Sequence, residues 1–197
     1  MIYVLLLNGA MFSGKDFIGD VLSQIGWNKC QFKEQLYVDT AEYFGVDLEW
    51  FKAVATDRIR KEIPTESLTD LNGKIYSPRQ ALIHVSENVV KPVKGKDWYG
   101  RVTVDNYMKK GFNVVTDSGF REEAEAVVKK VGAENVILVH LEREGCSFNP
   151  EKDSRSYIDL SDLGVQTISF KNSEEISAKQ IVKYFSEIMI DKMFEDQ

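Results

Sequence analysis

A glycine-rich turn near the N-terminus carries the clearest chemical signal in the sequence. In NGAMFSGKD, Gly9, Gly14 and Lys15 satisfy the pattern G-x-x-x-x-G-K. Glycines let consecutive backbone N–H groups point at one anion, and the start of the following helix adds positive potential. The lysine ammonium can then reach the β- and γ-phosphates of a nucleotide. The turn therefore predicts a nucleotide site, and the alternative is an ordinary strand–helix turn with an exposed lysine.

The residue after this lysine departs from the usual motif. Asp16 stands where Ser or Thr normally offers a neutral hydroxyl to Mg²⁺. Its carboxylate is a hard anionic ligand that Mg²⁺ accepts directly or through water. The alternative is an acid favoured in the first helical turn by the dipole, by about 0.3–1 kcal/mol. Because a carboxylate repels a triphosphate unless a cation lies between them, we expect a metal-linked role for Asp16.

A second acid, Asp117, ends the apolar run FNVVTD. Ligands of open parallel sheets collect beyond the carboxyl ends of the strands, so we expect Asp117 to face the phosphate turn. Acids in this position hold Mg²⁺ or its waters in nucleotide-binding proteins. The alternative is an Asp in a tight turn before a helix. The predicted metal ligands are therefore Asp16 and Asp117, and the predicted cofactors are ATP and Mg²⁺.

The composition around these residues is that of an ordinary globular protein. The chain has 197 residues, of which 43% are hydrophobic and 28% charged, with a formal net charge of −6. This length predicts one domain spanning 1–197. The negative charge argues against broad nucleic-acid binding. The run IYVLLL is too short to span a membrane and predicts a buried strand. We expect a cytoplasmic protein, a monomer or homodimer, without a membrane partner.

Strand and helix patterns alternate along the chain, which favours an α/β fold with a parallel sheet. Five apolar runs predict strands: IYVLLLN, KCQF, FNVVTD, NVILVHLE and QTISF. We expect a helix from the phosphate turn to Gly26, helical structure over 33–55 with a break at Gly45, and a closing helix over 176–194. Residues 56–76 are polar and predict a loop.

Helix signals also mark the middle of the chain. Ser77, Pro78 and Gln80 predict a capping box at the start of a helix, which should end near Pro92. A further helix is expected over 97–110. The helix after Asp117 has apolar residues at helical spacing and closes at Gly132.

Four segments together resemble the phage-type deoxynucleoside monophosphate kinases: NGAMFSGKD, SPRQALIHVSENVVKPVKGKDWYGRV, VVTDSGFREEAEAV and SFKNSEEI. The likeness covers most of the chain, and its specific parts are the S-G-K-D ending and the third segment. In that segment Phe120, Glu123 and Ala124 match the family pattern. Gly119 falls where the family has an arginine, and Arg121 follows two places on. Animal-type phosphomevalonate kinases carry a comparable S-G-K-D turn, so the turn alone does not fix the acceptor.

The resemblance implies an α/β P-loop kinase: a five-stranded parallel doubly wound sheet with a helical acceptor-binding insertion (about 33–110) and a lid (about 143–164). Its expected reaction transfers the γ-phosphoryl group of ATP to a (deoxy)nucleoside monophosphate, which gives the diphosphate. Small-molecule nucleotides would be its partners, and the cytoplasm would be a host's if the protein is viral. Alternatives are a kinase for another small phosphorylated acceptor, phosphomevalonate-like, and a nucleotide-binding switch module. The Asp16 departure argues against the switch.

Such a kinase must hold two sets of phosphates, and forked arginines suit that task. Arg79 lies in the first turn of its predicted helix, where the dipole disfavours a cation, so we expect an anion near it. Arg101 follows Gly100 on the next helix. We predict an acceptor site containing Arg79, Arg101, Arg121 and Glu123, and the alternative is that the arginines lie on the surface without a ligand.

Arg143 and Arg155 flank a polar segment that predicts the lid closing over ATP, with an ordinary surface loop as the alternative. Lys15, Asp117 and Arg143 are the predicted catalytic residues. Asn172, after the last strand, is predicted to touch the adenine or to cap a helix. The predicted ATP-binding residues are Gly9, Ala10, Met11, Phe12, Ser13, Gly14, Lys15, Asp16 and Asn172.

Overall fold

The apolar runs of the sequence become strands of one parallel sheet. In the computed structural model, which describes residues 1–148 and 155–195, the strands are β1 (Ile2–Gly9), β2 (Asn28–Cys30), β3 (Thr65–Thr69), β4 (Ile75–Tyr76), β5 (Gly111–Val115), β6 (Val136–Glu142) and β7 (Gln166–Lys171). The parallel sheet has the order β2-β5-β1-β6-β7. The predicted five-stranded parallel α/β sheet is therefore confirmed.

β1 is the central strand because its side chains are apolar on both faces. Val4, Leu5, Leu6 and Leu7 are all fully buried, as expected for a parallel strand covered by helices on both sides. β1 pairs with β5 on one side and with β6 on the other. The chain turns to opposite sides of β1, so the carboxyl end of β1 lies at a topological switch point, where ligands of such sheets bind.

Eight α-helices accompany these strands in the described residues: α1 (Lys15–Ser23), α2 (Lys33–Phe44), α3 (Leu48–Thr56), α4 (Pro78–His84), α5 (Lys91–Lys94), α6 (Trp98–Val102), α7 (Arg121–Val131) and α8 (Ala178–Glu195). The apolar faces of α1 and α8 pack in one core cluster with the sheet, in which Ile18 and Leu22 of α1 meet Ile181 and Phe185 of α8. The predicted helix stop at Gly132 is confirmed by its positive φ of 90°.

The chain divides into two compact units. The larger unit comprises Met1–Phe32 and Gly100–Gln197, and the smaller unit comprises Lys33–Tyr99. The smaller unit has its own core, in which Phe51, Leu68 and Ala81 are fully buried. Its first two helices break at Gly45, as predicted, where φ is +65°.

The predicted loop over 56–76 is wrong, because β3 and β4 form an antiparallel hairpin there. The turn is closed by Asp70, whose carboxylate accepts from the backbone N–H groups of Asn72 and Lys74 at 2.9 Å each. Gly73 supplies the positive φ of 81° that this turn requires. The D-x-N-G stretch between β-branched residues was the available sequence signal for the hairpin.

The capping box before α4 is confirmed: Ser77 Oγ accepts from Gln80 N, and Gln80 Oε1 accepts from Ser77 N at 3.0 Å. Helical backbone continues from α4 through a π-helical stretch (Val85–Val90) into α5 and ends at Lys94, so the end predicted near Pro92 is confirmed. The helix predicted over 97–110 ends earlier, since α6 and the π-helical Thr103–Tyr107 give way to extended backbone at Met108.

A fully buried asparagine, Asn8, ties the carboxyl end of β1 to two other backbone segments. Its Nδ2 donates to the carbonyl oxygens of Ser118 (2.9 Å) and Ser156 (3.1 Å), and its Oδ1 accepts from Ile158 N (3.0 Å). Because buried polar groups are costly unless paired, these bonds fix residues 156–158 against the continuation of β5.

Asn113 plays a comparable part within β5. It is fully buried, its Oδ1 accepts from Asn28 Nδ2 (2.8 Å) and Lys109 N (2.9 Å), and its Nδ2 donates to Lys109 O (2.8 Å) and Gly111 O (3.0 Å). A further bond from Asn113 Nδ2 to Tyr3 O (3.3 Å) brings its total to five, against three for Asn8, and the partners of the two carboxamides are different.

We expect Asn8→Ala and Asn113→Ala each to lower the free energy of unfolding by about 1–3 kcal/mol for each buried group left unpaired. Only Asn8→Ala should release residues 156–158. Urea unfolding measures the first effect, and hydrogen exchange at the Ile158 amide measures the second. Equal exchange at Ile158 in the two variants would contradict the role assigned to Asn8.

Candidate active site

The glycine-rich turn forms a tight loop between β1 and α1. Ser13 N donates to Ala10 O at 3.3 Å, and Ile18 N donates to Gly14 O at 3.0 Å, which starts the helix. Phe12 has a φ of +66° although it is not glycine, and 65% of it is exposed. A left-handed conformation costs a bulky residue about 1–2 kcal/mol, and such strain is concentrated at functional sites. The motif pattern gave no signal of this strain.

The ammonium group of Lys15 lies inside the loop. Its Nζ donates to the carbonyl oxygens of Gly9 (2.6 Å) and Ala10 (2.7 Å) and approaches Ser13 Oγ at 3.4 Å. The side chain is therefore folded back over the loop that the sequence predicts to bind phosphates. An ammonium held by neutral oxygens can exchange them for the charged oxygens of a phosphate, which accept stronger hydrogen bonds.

The two motif glycines are required by close packing as well as by the motif. A Cβ at Gly9 would lie 2.8 Å from both Leu141 O and Ser13 Oγ. Gly14 has a φ of +96°, and a Cβ there would coincide with the side-chain amide of Asn172. Both positions thus exclude any side chain, for steric reasons that depend on distant parts of the chain.

Asn172 braces the loop. It is buried, its Nδ2 donates to Ser13 O at 2.8 Å, and its backbone N donates to Glu142 O at 2.8 Å. Its predicted role as a helix cap is wrong, because α8 begins at Ala178. The predicted contact with adenine stays a prediction. Sequence reasoning missed the bracing role because the two bonded residues are 159 positions apart.

Asp16 lies at the start of α1 with its carboxylate directed at the end of β5. Its Oδ1 accepts from Gln31 Nε2 (2.8 Å) and Thr116 Oγ1 (2.9 Å), and Lys29 Nζ lies 3.7 Å away. The side chain is 64% exposed. Asp16 is therefore bonded to the residue that immediately precedes Asp117.

Asp117 follows β5, and its Oδ1 accepts from Phe32 N at 2.8 Å. The two acids that the sequence singled out thus belong to the same edge of the sheet. No cluster of three or more metal-ligating His, Cys, Asp or Glu side chains occurs among the described residues. Mg²⁺ is commonly held by one or two carboxylates together with substrate phosphates, so the donor set of Asp16 and Asp117 suits that kind of site.

Glu123 is buried on α7, beside the start of α6. A Cβ at Gly100 would collide with Glu123 O and lie 2.8 Å from Ala126 Cβ, so the two helices are in close contact at this glycine. Arg101 is the next residue, and its Nε is buried. Two members of the predicted acceptor site, Arg101 and Glu123, therefore lie on helices that touch each other.

Arg121 is hydrogen-bonded to groups of the chain itself. Its Nε donates to Glu125 at 2.6 Å, its Nη2 to the Asp162 carboxylate at 2.6 Å and its Nη1 to Asp159 O. Hydrogen bonding to this guanidinium lowers the pKa of Asp162. These bonds join α7 to the 3₁₀ turn Ser161–Leu163, and the predicted acceptor role of Arg121 stays a prediction.

The other predicted cations lie at three places. Arg143 forms an ion pair with Glu174 at 2.9 Å, and Arg79, in the smaller unit, forms one with Glu62 at 2.7 Å. The stem of Arg155 lies against Gly119. The contacts predicted between these arginines and substrate phosphates stay predictions.

The predicted lid is anchored in its second half. Tyr157 Oη donates to Leu141 O and His140 Nε2 bonds Ile158 O, each at 2.8 Å, while Leu160 is fully buried. Residues 149–154 of the predicted lid lie outside the described residues. The part from 155 to 160 therefore belongs to the packed edge of the sheet.

No family model and no curated protein matches the sequence. Solved structures similar to the chain include a gluconokinase from Sinorhizobium meliloti 1021, with 11% identity over 99% of this chain and 98% of that chain and a TM-score of 0.49. Another is a dephospho-CoA kinase from Campylobacter jejuni, with 14% identity over 97% of this chain and 99% of that chain and a TM-score of 0.43. At these values the function has to be argued from the site itself. Within the described residues, no helix has the length and apolar character needed to cross a membrane.

We expect Gly14→Ala to abolish nucleotide binding and Gly26→Ala to preserve it. Both glycines have a φ near 95°, so each alanine costs about 1–2 kcal/mol of backbone strain. Only at Gly14 would the new methyl group also displace Asn172, because no described atom lies within 4 Å of a Cβ at Gly26. Urea unfolding and calorimetric titration with ATP measure the two effects. Equal losses of ATP affinity would contradict the bracing role of Asn172.

Proposed function

We propose that this protein is an ATP-dependent phosphotransferase whose acceptor is a (deoxy)nucleoside monophosphate. The observation that carries the proposal is the G-x-x-x-x-G-K loop at the carboxyl end of the central strand, with Asp16 hydrogen-bonded to the residue before Asp117. A loop that cradles phosphates and acidic residues that can hold the metal ion are two of the recurring parts of sites for phosphoryl transfer from a metal-bound nucleotide.

The loop supplies donors and positive charge for the phosphates of ATP. Its backbone N–H groups lie at the N-terminus of α1, where the helix dipole favours an anion. Lys15, already inside the loop, adds a full charge by exchanging carbonyl oxygens for phosphate oxygens. Binding and orientation of the donor thus need only small movements of this side chain.

Asp16 and Asp117 would hold Mg²⁺ together with the phosphates. The ion would neutralise charge on the phosphates of the donor. The hydrogen bonds that Asp16 accepts from Gln31 and Thr116 direct its carboxylate towards the end of β5, and Lys29 lies nearby. No side-chain base is needed, because the phosphate oxygen of the acceptor is already a competent nucleophile.

The acceptor class rests on the resemblance of four segments to the phage-type deoxynucleoside monophosphate kinases. The contact between α6 and α7 adds support, because it holds Arg101 and the buried Glu123 on neighbouring helices of the larger unit. The forked guanidinium of arginine can donate two hydrogen bonds to a phosphate group. A buried carboxylate can accept hydrogen bonds from the sugar or base of a nucleotide.

We expect purified protein to release ADP from ATP only when a suitable monophosphate is present. The panel contains the four deoxynucleoside monophosphates, the four ribonucleoside monophosphates and phosphomevalonate, and a coupled assay measures ADP. Turnover with phosphomevalonate alone would assign the protein to another class of small-acceptor kinase. ATP hydrolysis without any acceptor would contradict the kinase proposal and favour a switch module.

Lys15→Ala is the matched control for this panel. Removal of one electrostatic contact to the transferred group typically lowers kcat by about 100- to 1,000-fold. Unchanged urea unfolding together with loss of ADP release would assign the activity to this loop rather than to a contaminating kinase. Full activity of Lys15→Ala would exclude the loop from the reaction.

Comparing Asp16→Asn with Asp20→Asn separates the proposed metal-binding role of Asp16 from the general effect of removing one negative charge near Lys29. Both carboxylates are equally exposed (64% and 62%), and both lie near Lys29. We expect Asp16→Asn to raise the Mg²⁺ concentration needed for half-maximal rate by about tenfold or more, because loss of a metal-supporting group has effects of this size. Asp20→Asn should leave it unchanged. Equal Mg²⁺ dependence of the two variants would contradict the metal role of Asp16.

A further inference from the structure

Gly119 lies two residues beyond Asp117, and its lack of a side chain is explained by Arg155. A Cβ at Gly119 would lie 2.5 Å from Cδ, 3.0 Å from Cγ and 3.6 Å from Cβ of Arg155. Separations below about 3 Å do not occur between a real Cβ and another carbon, since atoms in contact are about 3.5–4.0 Å apart. The stem of Arg155 thus occupies the volume that a side chain at position 119 would need.

The backbone conformation gives no separate reason for a glycine at this position. Gly119 is not among the glycines with a positive φ, so an ordinary residue could adopt its backbone angles. Close approach of another side chain remains as the physical explanation. Positions 119 and 155 are therefore alternatives for one volume, and this chain fills it from position 155.

Arg155 is held in this place by its neighbours along the chain. Asn8 accepts from Ile158 N and donates to Ser156 O, while the same carboxamide donates to Ser118 O. One buried side chain therefore fixes the residue after Arg155 against the residue before Gly119. The arginine enters from a segment anchored to the sheet.

The position of the stem brings a forked cation to the edge that carries Asp117. Gly119 lies four residues beyond the last residue of β5, the strand that neighbours β1 on the side of β2. An anion bound there would lie beyond the carboxyl end of β5, whereas the glycine-rich loop follows β1.

We propose that Arg155 binds the phosphate of the acceptor and that Gly119 is small so that Arg155 can reach it. This inference rests on the proposed function and assigns to Arg155 a place different from a lid over ATP. Arg121, the other arginine near Gly119 in sequence, is already bonded to Glu125, Asp162 and Asp159. Arg155 is therefore a specificity-determining residue for the monophosphate.

Moving the arginine from one position to the other tests this proposal. The variants are Arg155→Ala, Arg155→Lys, Gly119→Arg and the double variant Gly119→Arg/Arg155→Ala. Their KM values for the acceptor and for ATP are measured with the best acceptor of the panel. Calorimetric titration with the same monophosphate, in the absence of ATP, gives its Kd directly.

We expect Arg155→Ala to raise the acceptor KM and Kd by about 10- to 100-fold, as loss of a charge-assisted hydrogen bond does, and to leave the KM for ATP unchanged. Arg155→Lys should recover only part of the affinity, because it lacks the fork. Gly119→Arg alone should lower the midpoint of urea unfolding, and the double variant should restore both the midpoint and most of the acceptor affinity.

Each result has a defined consequence. Unchanged acceptor affinity in Arg155→Ala, or a double variant no better than Arg155→Ala, would overturn the proposal. A raised KM for ATP alone would instead assign Arg155 to the donor. If wild-type protein transfers phosphate to no acceptor, the proposed function fails, and the Kd comparison still decides whether Arg155 binds a monophosphate. If the wild-type protein binds none of the monophosphates, both the proposed function and the proposed role of Arg155 are overturned.

Discussion

The buried carboxamide of Asn8 is the contact on which the carboxyl edge of the sheet depends. It lies one residue before Gly9, where the phosphate loop begins, and it pairs with backbone groups of Ser118, Ser156 and Ile158. None of these bonds can be lost without leaving a polar group unpaired in the interior, which is expensive. The loop, the strand end that carries Asp117 and the approach of Arg155 therefore share one anchor.

A second constraint acts on the loop from the opposite side of β1. Asn172 follows β7, and its amide occupies the space beside Gly14 while it bonds Ser13 O. The loop is thus held between a contact to the β5 side and a contact to the β7 side. A loop braced in this way keeps its N–H groups oriented before a ligand arrives, which lowers the entropy lost on binding. The strain at Phe12 fits this picture, because surrounding contacts must maintain it.

The charged side chains at this edge of the sheet are hydrogen-bonded mainly to neutral groups. Asp16 is bonded to neutral donors and lies near Lys29, while Lys15 is bonded to carbonyl oxygens inside the loop. A metal–nucleotide complex brings both positive and negative charge, so it can meet carboxylates at Asp16 and Asp117 and an ammonium at Lys15. Under the proposed function, an aspartate after the lysine is compatible with a phosphate because a cation would separate the two negative groups.

Local patterns in the sequence were sufficient for much of this structure. Period and composition predicted the five strands, the break at Gly45 and the capping box at Ser77, because these features depend on residues only a few positions apart. The same reasoning did not indicate the π-helical stretch Val85–Val90 that joins α4 to α5. It also overlooked the hairpin of β3 and β4, whose turn is built from short polar side chains.

The sequence by itself determined that a glycine-rich loop of the pattern G-x-x-x-x-G-K joins a buried strand to a helix, and that acids follow the loop lysine and a second strand. Only the tertiary structure decided that Asp16 bonds Thr116, that Asn172 braces Ser13, and that Arg155 fills the space above Gly119. The physical reason is that these contacts join residues far apart in the chain. Their existence depends on the order of the strands and on buried hydrogen bonds, which no local spacing of residues specifies.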